Sequence, residues 1–213
     1  MSNIIIEAII SYMRKIKILT SQAGYDLVAG KYDKKEKYLN GFEQGKLLPL
    51  LGEVKNKQIL DVGAGTGRLS IELAKRGAIT TALDVSLEML TRLKEKYSLV
   101  ETVDGEAENM PFKDSEFDIV ISAFLIVHLK DPKIFFDEVY RVLKNNGIFL
   151  VTNINQKEPP ELEANGEKIK IESYYHRPER VREILESLAF NIEKEIFVKD
   201  GDAWVNQILL AKK

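Results

Sequence analysis

The sequence has no cysteine among its 213 residues. This absence excludes disulfide bonds, a thiolate nucleophile, iron–sulfur ligation and zinc sites built on thiolates. It also fits a reducing compartment, although it does not prove one.

Histidine, excess charge and long apolar runs are scarce as well. There are two histidines, and 31 Lys and Arg stand against 33 Asp and Glu, so the formal net charge is −2. With both signs interspersed, this balance gives no reason to expect a nucleic-acid partner. The apolar opening at residues 4–10 is short and interrupted by Glu7. We therefore expect no signal peptide, no membrane span and a cytoplasmic location.

The stretch of residues 58–69 is the feature around which the chain can be arranged. An apolar run with β-branched residues ends in three glycines at alternate positions, Gly63, Gly65 and Gly67, and an amphipathic stretch follows without a gap. This pattern predicts a strand, a tight turn and a helix. Glycine lets a ligand approach the main chain closely, next to the free N–H groups of the helix.

A carboxylate follows at the distance expected for a nucleoside site. The next apolar run ends at Asp84, about 20 residues after the first glycine, where a βαβ unit can present a carboxylate to both ribose hydroxyls. The two features together predict a cofactor that contains a nucleoside.

The N-terminal region reads as helical. Residues 2–19 carry apolar side chains at helical spacing, which predicts a helix packed on the domain surface and leaves a self-association or membrane-surface helix as the alternative. Two Tyr-Asp pairs, at Tyr25 and Tyr32, are about two helical turns apart, so both rings would share one face of a helix. A second helix is predicted from about Tyr38 to Leu51, ending at Gly52.

The middle of the chain alternates between strand and helix patterns. Ser86 is the expected N-cap of one helix, with Glu88 in its first turn. This alternation predicts a mostly parallel sheet with helices on both faces. The predicted strands are residues 58–62, 79–84, 99–103, 117–123 and 148–152, and the predicted helices are residues 67–76, the helix after Ser86, and residues 132–143.

The last third of the chain departs from this alternation. Residues 155–176 begin with a Pro-Pro pair and contain an Asn165-Gly166 turn between candidate strands, which predicts a hairpin that caps a pocket. A helix from Pro178 to Leu188 and two antiparallel strands, residues 190–198 and 203–211, are predicted to follow.

No linker divides the chain, so we expect a single domain with four parts. They are an N-terminal helical cap or lid (1–52), a cofactor-binding core (58–152), an inserted hairpin or cap (155–176) and a C-terminal helix with its strand pair (177–213).

These motifs resemble the class I S-adenosylmethionine-dependent methyltransferases, in particular the large small-molecule group of the methyltransferase type 11 kind. The spacing is Gly-x-Gly-x-Gly, with a single glycine-rich half, and a hairpin closes the sheet, whereas dinucleotide enzymes use Gly-x-Gly-x-x-Gly and two halves. The resemblance implies an α/β fold with a Rossmann-like, doubly wound sheet of seven strands, mostly parallel with an antiparallel last strand. It covers residues 58–152 and is carried by residues 59–67, 82–90, 105–112, 117–120 and 140–147.

The resemblance implies S-adenosyl-L-methionine as the cofactor. No tight cluster of Asp and Asn residues suggests a magnesium site, so we expect no metal. Carbonyl oxygens of the glycine turn would accept from its amino group, supported by Asp61, while Asp84 would bind the ribose. Glu106 and the Ala107 N–H would bind the adenine edge. Tyr25 and Tyr32 would close over the cofactor as a lid. The implied cofactor-binding residues are Asp61, Gly63, Ala64, Gly65, Gly67, Asp84, Val85, Met89, Glu106, Ala107, Ala123, Tyr25 and Tyr32.

Structural roles compete with several of these assignments. Asp61 can cap its own turn, Asp84 can cap the helix that follows it, Glu106 can be a solvated loop charge, and Met89 can be an ordinary core residue.

Candidates for catalysis are few. His128 follows the fourth predicted strand of the core, where the substrate pocket of the family opens, and Tyr174 and His176 end the insert. Each competes with a structural or surface role. Methyl transfer mainly needs alignment and exclusion of water, and a general base is required only if the nucleophile carries a proton.

The expected acceptor is an oxygen, nitrogen or carbon nucleophile of a small molecule, with a protein side chain as a further class. The chain lacks the Asn/Asp-Pro-Pro-Tyr/Phe motif of amide and adenine-N6 methylation, and it lacks the cysteine of C5-methylcytosine chemistry. A nicotinamide-dependent oxidoreductase and a non-catalytic S-adenosylmethionine-binding protein are the alternatives. The sequence does not indicate an oligomeric state.

Overall fold

The computed structural model describes residues 16–213. It contains ten strands in this range. They are β1 (Lys17–Leu19), β2 (Gln58–Val62), β3 (Ile79–Asp84), β4 (Glu101–Asp104), β5 (Phe117–Ser122), β6 (Leu143–Ile154), β7 (Glu161–Ala164), β8 (Glu167–Ile171), β9 (Asn191–Asp200) and β10 (Ala203–Lys212).

Six α-helices connect or cover these strands within the described residues. They are α1 (Ser21–Tyr32), α2 (Glu36–Glu43), α3 (Arg68–Lys75), α4 (Leu87–Lys96), α5 (Pro132–Val142) and α6 (Pro178–Ser187). The expected cap of α4 is confirmed, because the Ser86 hydroxyl accepts from the Met89 N–H, and α5 begins at Pro132 after a capping Asp131.

The main sheet has seven strands in the order β4-β3-β2-β5-β6-β10-β9. The first five are parallel to one another, and β10 runs antiparallel between β6 and β9. The expected fold class is therefore confirmed. Since all the strands of the parallel half end at the same edge, the turns after β2, β3 and β5 meet there.

Both faces of this sheet are buried. Neighbouring residues of β2, Ile59 and Leu60, are both fully buried but belong to different apolar clusters, as the two-residue period of a strand requires. One cluster contains the phenylalanines of α5 and β6, among them Phe136 and Phe149, and the other contains Leu69 and Leu73 of α3. A continuous core on each side fixes the edge that carries the site.

A second, three-stranded sheet joins the N-terminal region to the insert. Its order is β1-β8-β7, with β1 parallel to β8 and the β7–β8 hairpin turning at Asn165 and Gly166, whose φ values are 52° and 79°. Two positive φ values in a two-residue loop are typical of a type I′ turn, so the predicted hairpin is confirmed. We call β1, α1, α2, β7 and β8 the lid unit.

Close backbone contact holds the lid unit together. A Cβ atom on Gly24 of α1 would lie 2.6 Å from Cγ1 of Ile171 in β8. Val28 and Ala29 of α1, Ile169 of β8 and Met89 of α4 form a separate small apolar cluster. The lid unit therefore packs on the core through α4 as well as on itself.

Several predicted boundaries are wrong. The helix expected over residues 2–19 lies mostly outside the described residues, and Lys17–Leu19 is a strand because it pairs with β8. The helix expected to reach Leu51 ends at Glu43, since Gln44 and Gly45 have positive φ, and a 3₁₀ turn covers Leu48–Leu51 before Gly52.

Two strand boundaries and one helix end also differ. The strand predicted from residue 99 begins at Glu101, because Leu99 is 80% exposed in a turn. The helix predicted to residue 143 stops at Val142, and β6 then starts at Leu143 instead of residue 148 because Leu143 already pairs with Phe117. These differences move no residue of the predicted site.

Candidate functional site

The glycine turn lies at the shared edge of β2 and β3. The N–H groups of Gly63 and Ala64 donate to the Leu83 carbonyl at 2.8 and 3.1 Å, which fixes the turn against β3. Gly63 and Gly65 have φ values of 72° and 56°, so both occupy the left-handed region that favours glycine. A Cβ on Gly65 would meet only the Tyr32 ring, at 3.8 Å. This backbone therefore faces a space that a side chain would enter.

Gly67 serves a different purpose. It has φ 86° at the start of α3, and a Cβ there would lie 2.1 Å from Cδ1 of Leu93 in α4. The missing side chain lets α3 and α4 approach each other. Gly67 does not line either of the cavities described below.

Asp84 holds the turn from the neighbouring strand. Its Oδ2 accepts from the Gly65 N–H at 2.7 Å and its Oδ1 accepts from the Ser86 N–H at 2.9 Å. Burial raises the pKa of this carboxyl, and the backbone N–H donors oppose that rise. A carboxylate offers about four lone-pair sites, so acceptor capacity remains after these two bonds.

Asp61 is the most deeply buried carboxyl of the site. It is 2% exposed, and its Oδ2 accepts from the Ser70 hydroxyl at 2.5 Å. Burial raises its pKa to about 6, against the Ser70 hydrogen bond and the Arg68 charge, which both lower it. A cation placed beside Asp61 would stabilise the charged carboxylate.

Two adjoining cavities open at this edge, each of about 550 Å³ when the space open to solvent is included. They share the glycine turn, Tyr32, Ala123 and Phe124. The first, which we call the Asp61 cavity, also contains Asp61, Ala64, Thr66, Arg68 and Lys96. The second, the Asp84 cavity, also contains Asp84, Val85, Met89, Ala107, Tyr25, Leu125 and His128. The site is thus elongated, with one carboxylate in each half.

Helix α1 covers this site with aromatic rings. Tyr25 packs edge-on against Tyr32, with 5.7 Å between the ring centroids, and edge-on against His128 at 5.3 Å. Burial raises the pKa of Tyr25, and burial raises the pKa of Tyr32 to about 12. The two rings share one face of α1, as their spacing predicted, and their role as a lid over a cofactor stays a prediction.

Three carboxylates fasten the lid unit and the turn after α1 to the core. Asp26 accepts from the Ser86 hydroxyl at 2.5 Å, and Asp33 accepts from the Thr66 hydroxyl at 2.5 Å. Asp33 also pairs with Lys96. Glu43 accepts two hydrogen bonds from the Arg68 guanidinium, at 2.6 and 2.9 Å. We call these three contacts the lid clamps. Each one ends on a core residue that lies in the glycine turn, directly after it, or two residues after Asp84, so the position of the lid affects the shape of the site.

His128 connects the lid to the insert. Its Nε2 is 2.8 Å from the Tyr25 hydroxyl, and its Nδ1 is 2.8 Å from the Glu172 carbonyl oxygen. Burial lowers the pKa of His128 against the effect of the Glu172 carbonyl. The imidazole is therefore a neutral ring held at both nitrogens.

Three other predicted site residues lie outside the cavities. Glu106 is exposed and bridges to Asn109. The Tyr174 hydroxyl donates to Glu172, and the His176 Nε2 lies 3.0 and 2.9 Å from the Ile126 and Leu129 carbonyls. His176 thus fixes the loop after β5, and roles for these residues in binding or catalysis stay predictions.

Sequence reasoning missed the residues that hold the lid. The two Tyr-Asp pairs were recognised for their rings, whereas both aspartates, Asp26 and Asp33, bind the core. Arg68 directly follows the glycine turn and pairs with Glu43, 25 residues earlier in the chain. The repeated Tyr-Asp pair is the sequence signal for Asp26 and Asp33. No local pattern indicates the pairing of Arg68 with Glu43.

Two further findings concern the described part of the chain. No helix in residues 16–213 is long and apolar enough to cross a membrane. Within the same residues, no group of three or more His, Asp or Glu side chains is arranged to hold a metal ion.

Comparisons with known proteins relate this chain to methyltransferases. Residues 60–151 match the model of a family described as a methyltransferase domain. A malonyl-[acyl-carrier protein] O-methyltransferase of Hamiltonella defensa is 29% identical over 132 residues, which are 62% of this chain and 51% of the relative. A demethylmenaquinone methyltransferase of Renibacterium salmoninarum is 33% identical over 137 residues, 62% of this chain and 58% of the relative.

The fold also matches a solved structure. An S-adenosylmethionine-dependent methyltransferase from Mesorhizobium loti superposes with a TM-score of 0.68 at 18% identity, covering 82% of this chain and 100% of that one. The chain spans only about half the length of the two curated relatives, 51% and 58%.

Proposed function

We propose that this chain is a class I S-adenosylmethionine-dependent methyltransferase, as its match to a methyltransferase domain over residues 60–151 and its fold support, and that it transfers the methyl group of S-adenosyl-L-methionine to an oxygen, nitrogen or carbon nucleophile of a small molecule. The observation that carries this proposal is the elongated site, which places Asp61 and Asp84 in two cavities joined at the glycine turn.

The residues of the site fit this cofactor. Asp61 complements the ammonium at the methionine end, and the free lone pairs of Asp84 suit a ribose diol. The Asp84 cavity has apolar walls from Leu83, Val85 and Met89 that suit an adenine ring. Gly65 leaves room for close approach to the main chain.

When bound, S-adenosylmethionine supplies an electrophilic methyl group on a sulfonium. The contribution of the protein is to align the acceptor and to exclude water. Tyr25 and Tyr32 cover the site from α1, and Phe124 and Leu125 bound it after β5. The three lid clamps hold this arrangement closed.

Two features support a small-molecule acceptor. Tyr25 and Tyr32 of the lid unit cover the site, and the Asp84 cavity is a concave space with mainly apolar walls, as small-ligand sites are. The two curated relatives are named for a malonyl group on acyl-carrier protein and for demethylmenaquinone.

Methyl transfer from tritium-labelled S-adenosylmethionine tests the proposal. The panel of acceptors contains small alcohols, phenols, amines and hydroquinones, together with a deproteinised cell extract. We expect label in a small-molecule product that depends on the protein and is suppressed by S-adenosylhomocysteine. Binding of S-adenosylhomocysteine without transfer to any acceptor would instead favour a non-catalytic binding protein. Binding of NADH with no binding of S-adenosylhomocysteine would favour an oxidoreductase.

A further inference from the structure

A chain of three groups runs from the insert to the lid along one side of the Asp84 cavity. The Glu172 carbonyl, the His128 ring and the Tyr25 hydroxyl are linked by two contacts of 2.8 Å. Tyr25 and His128 both line that cavity. Resting on the function proposed above, we propose that Tyr25 and His128 form a proton relay that deprotonates the methyl acceptor, which is a hydroxyl group or a protonated amine whose nitrogen becomes nucleophilic once the proton has left.

The direction of the relay follows from donor and acceptor chemistry. A backbone carbonyl can only accept, so the 2.8 Å contact to Glu172 requires a proton on Nδ1 of His128. The Nε2 atom of the neutral ring is then an unprotonated acceptor. The Tyr25 hydroxyl must donate to it, and the lone pairs of the Tyr25 oxygen are left for a donor in the cavity.

The electrostatic surroundings keep both groups in the required form. Burial lowers the pKa of His128, so the free base is present at neutral pH, and burial raises the pKa of Tyr25, so its proton stays in place until the acceptor arrives. The groups that face the pair are Tyr32 on α1 and Asp84 at the end of β3, which both raise the pKa of Tyr25, and the Glu172 carbonyl after β8.

The proton of the acceptor moves to the Tyr25 oxygen while the Tyr25 proton moves to Nε2 of His128, and the acceptor electron pair forms the bond to the methyl carbon. The carbon–sulfur bond breaks with its electron pair on sulfur. The proton ends on His128 as an imidazolium, whose Nδ1–H is held by the Glu172 carbonyl. The imidazolium returns its extra proton through Tyr25 to water that enters the cavity when the lid opens.

Lid closure assembles this relay. Tyr25 is adjacent to Asp26, whose carboxylate accepts from Ser86 at the start of α4. The same movement that covers the cofactor therefore brings the Tyr25 hydroxyl to His128. A carboxylate or thiolate acceptor, which carries no proton at neutral pH, would not need the relay, so the geometry selects hydroxyl and amine acceptors.

Nitrogen-15 NMR of the histidine rings tests the proton arrangement in the whole protein, without any acceptor. With two histidines in the chain, the His128→Gln variant assigns both sets of signals. At pH 7.5 we expect a neutral His128 with its proton on Nδ1, and we expect the Nε2 shift to move in Tyr25→Phe but not in Tyr38→Phe. Tyr38 is an exposed tyrosine of α2 that makes no contact with His128. A protonated Nε2 in the wild type would overturn the relay.

Rates with an acceptor from the labelled panel test the chemistry. We expect Tyr25→Phe to lower kcat about 100-fold, with less than about a threefold change in the Kd of S-adenosylhomocysteine. The kcat of the wild type should rise as His128 loses its proton, at a pH below 6.5, its ordinary pKa value. Tyr38→Phe should match the wild type.

Two other results would overturn the relay while the proposed function stands. One is a Tyr25→Phe variant with kcat within threefold of the wild type, which would make the Tyr25–His128 contact a latch only. The other is transfer to carboxylates or thiols but to no hydroxyl or amine. Failure of the wild type to bind S-adenosylhomocysteine would instead overturn the proposed function, and the NMR result would still decide the proton arrangement.

Discussion

The core and the lid unit hold the same site by different means. In the core, N–H groups of the glycine turn donate to the Leu83 backbone carbonyl and to the Asp84 carboxylate, both on the neighbouring parallel strand β3. The lid is instead held by side-chain carboxylates that reach the core from Asp26, Asp33 and Glu43. Paired parallel strands give the core part of the site a rigid frame, whereas contacts made by side chains alone can open. The difference suits a fixed cofactor platform beneath a cover that must admit an acceptor.

The largest expected effect concerns the burial of Asp61 in the core. Its folded pKa of about 6 exceeds the unfolded value of 3.8, so the folded state binds more protons between these values and stability falls as pH rises through that range. At pH 7.5 the charged carboxylate costs up to about 3 kcal/mol. Asp61→Asn should remove this cost and weaken cofactor binding. Urea unfolding at pH 5 and pH 7.5 measures the difference.

Asp118 provides a control of opposite sign. Its pKa is lowered by the Gln58 N–H and by Lys144, against the effect of burial, so its contribution is lost as pH falls. Asp118→Asn should therefore lose stability at pH 7.5. An Asp61→Asn variant that loses stability as well would show that the Asp61 carboxylate is structurally favourable.

The second-largest effect is expected from removing the Asp84 carboxylate, which should weaken cofactor binding. Asp84→Ala deletes the acceptor of the Gly65 and Ser86 N–H groups and the proposed ribose ligand. We expect the affinity for S-adenosylhomocysteine to fall about 100-fold, or about 2.7 kcal/mol, by calorimetry. The control is Asp104→Ala, an exposed carboxylate at the end of β4. Equal affinities in both variants would make the ribose assignment wrong.

The clamp at Glu43 should matter less, and mainly to the lid. Its side chain is 6% exposed and pairs with Arg68, so Glu43→Gln leaves a partly buried charge unpaired and should cost about 2 kcal/mol in chemical unfolding. Glu72→Gln breaks the exposed Glu72–Arg76 pair and should cost less than about 0.5 kcal/mol. If both variants cost the same, the clamp contributes no more than a surface ion pair.

The smallest expected difference is in the stability of two variants that replace a helical glycine by alanine. A Cβ on Gly24 would lie 2.6 Å from Ile171, so Gly24→Ala should loosen α1 from β8 and lower stability by about 1 kcal/mol. Gly41 in α2 has nothing within 4 Å of its Cβ position, so Gly41→Ala should raise the melting temperature slightly. A higher melting temperature in Gly24→Ala would show that the two elements separate easily.

The difference between the core and the lid unit also explains which features could be predicted from the sequence. The strand, glycine turn, helix and Asp84 follow from local patterns, because each step of a βαβ unit is short and the strands are buried on both faces. The capping of α4 by Ser86 and the Asn165-Gly166 hairpin were also local. These features were confirmed.

Features that join distant segments could not be read in this way. The parallel pairing of Leu19 with Ile171 joins segments at opposite ends of the chain, and a helical pattern over residues 2–19 gave no sign of it. The Tyr25–His128 contact joins residues 103 positions apart. Such contacts depend on how the lid unit packs on α4, which no local pattern encodes.

Calorimetric titration of the wild-type protein with S-adenosylhomocysteine and, separately, with NADH tests the central claim most directly, since the two ligands differ in whether the glycine turn must hold an amino acid or a pyrophosphate. We predict binding of one S-adenosylhomocysteine per chain and no heat with NADH. Binding of NADH in place of S-adenosylhomocysteine, or of neither, would contradict the account.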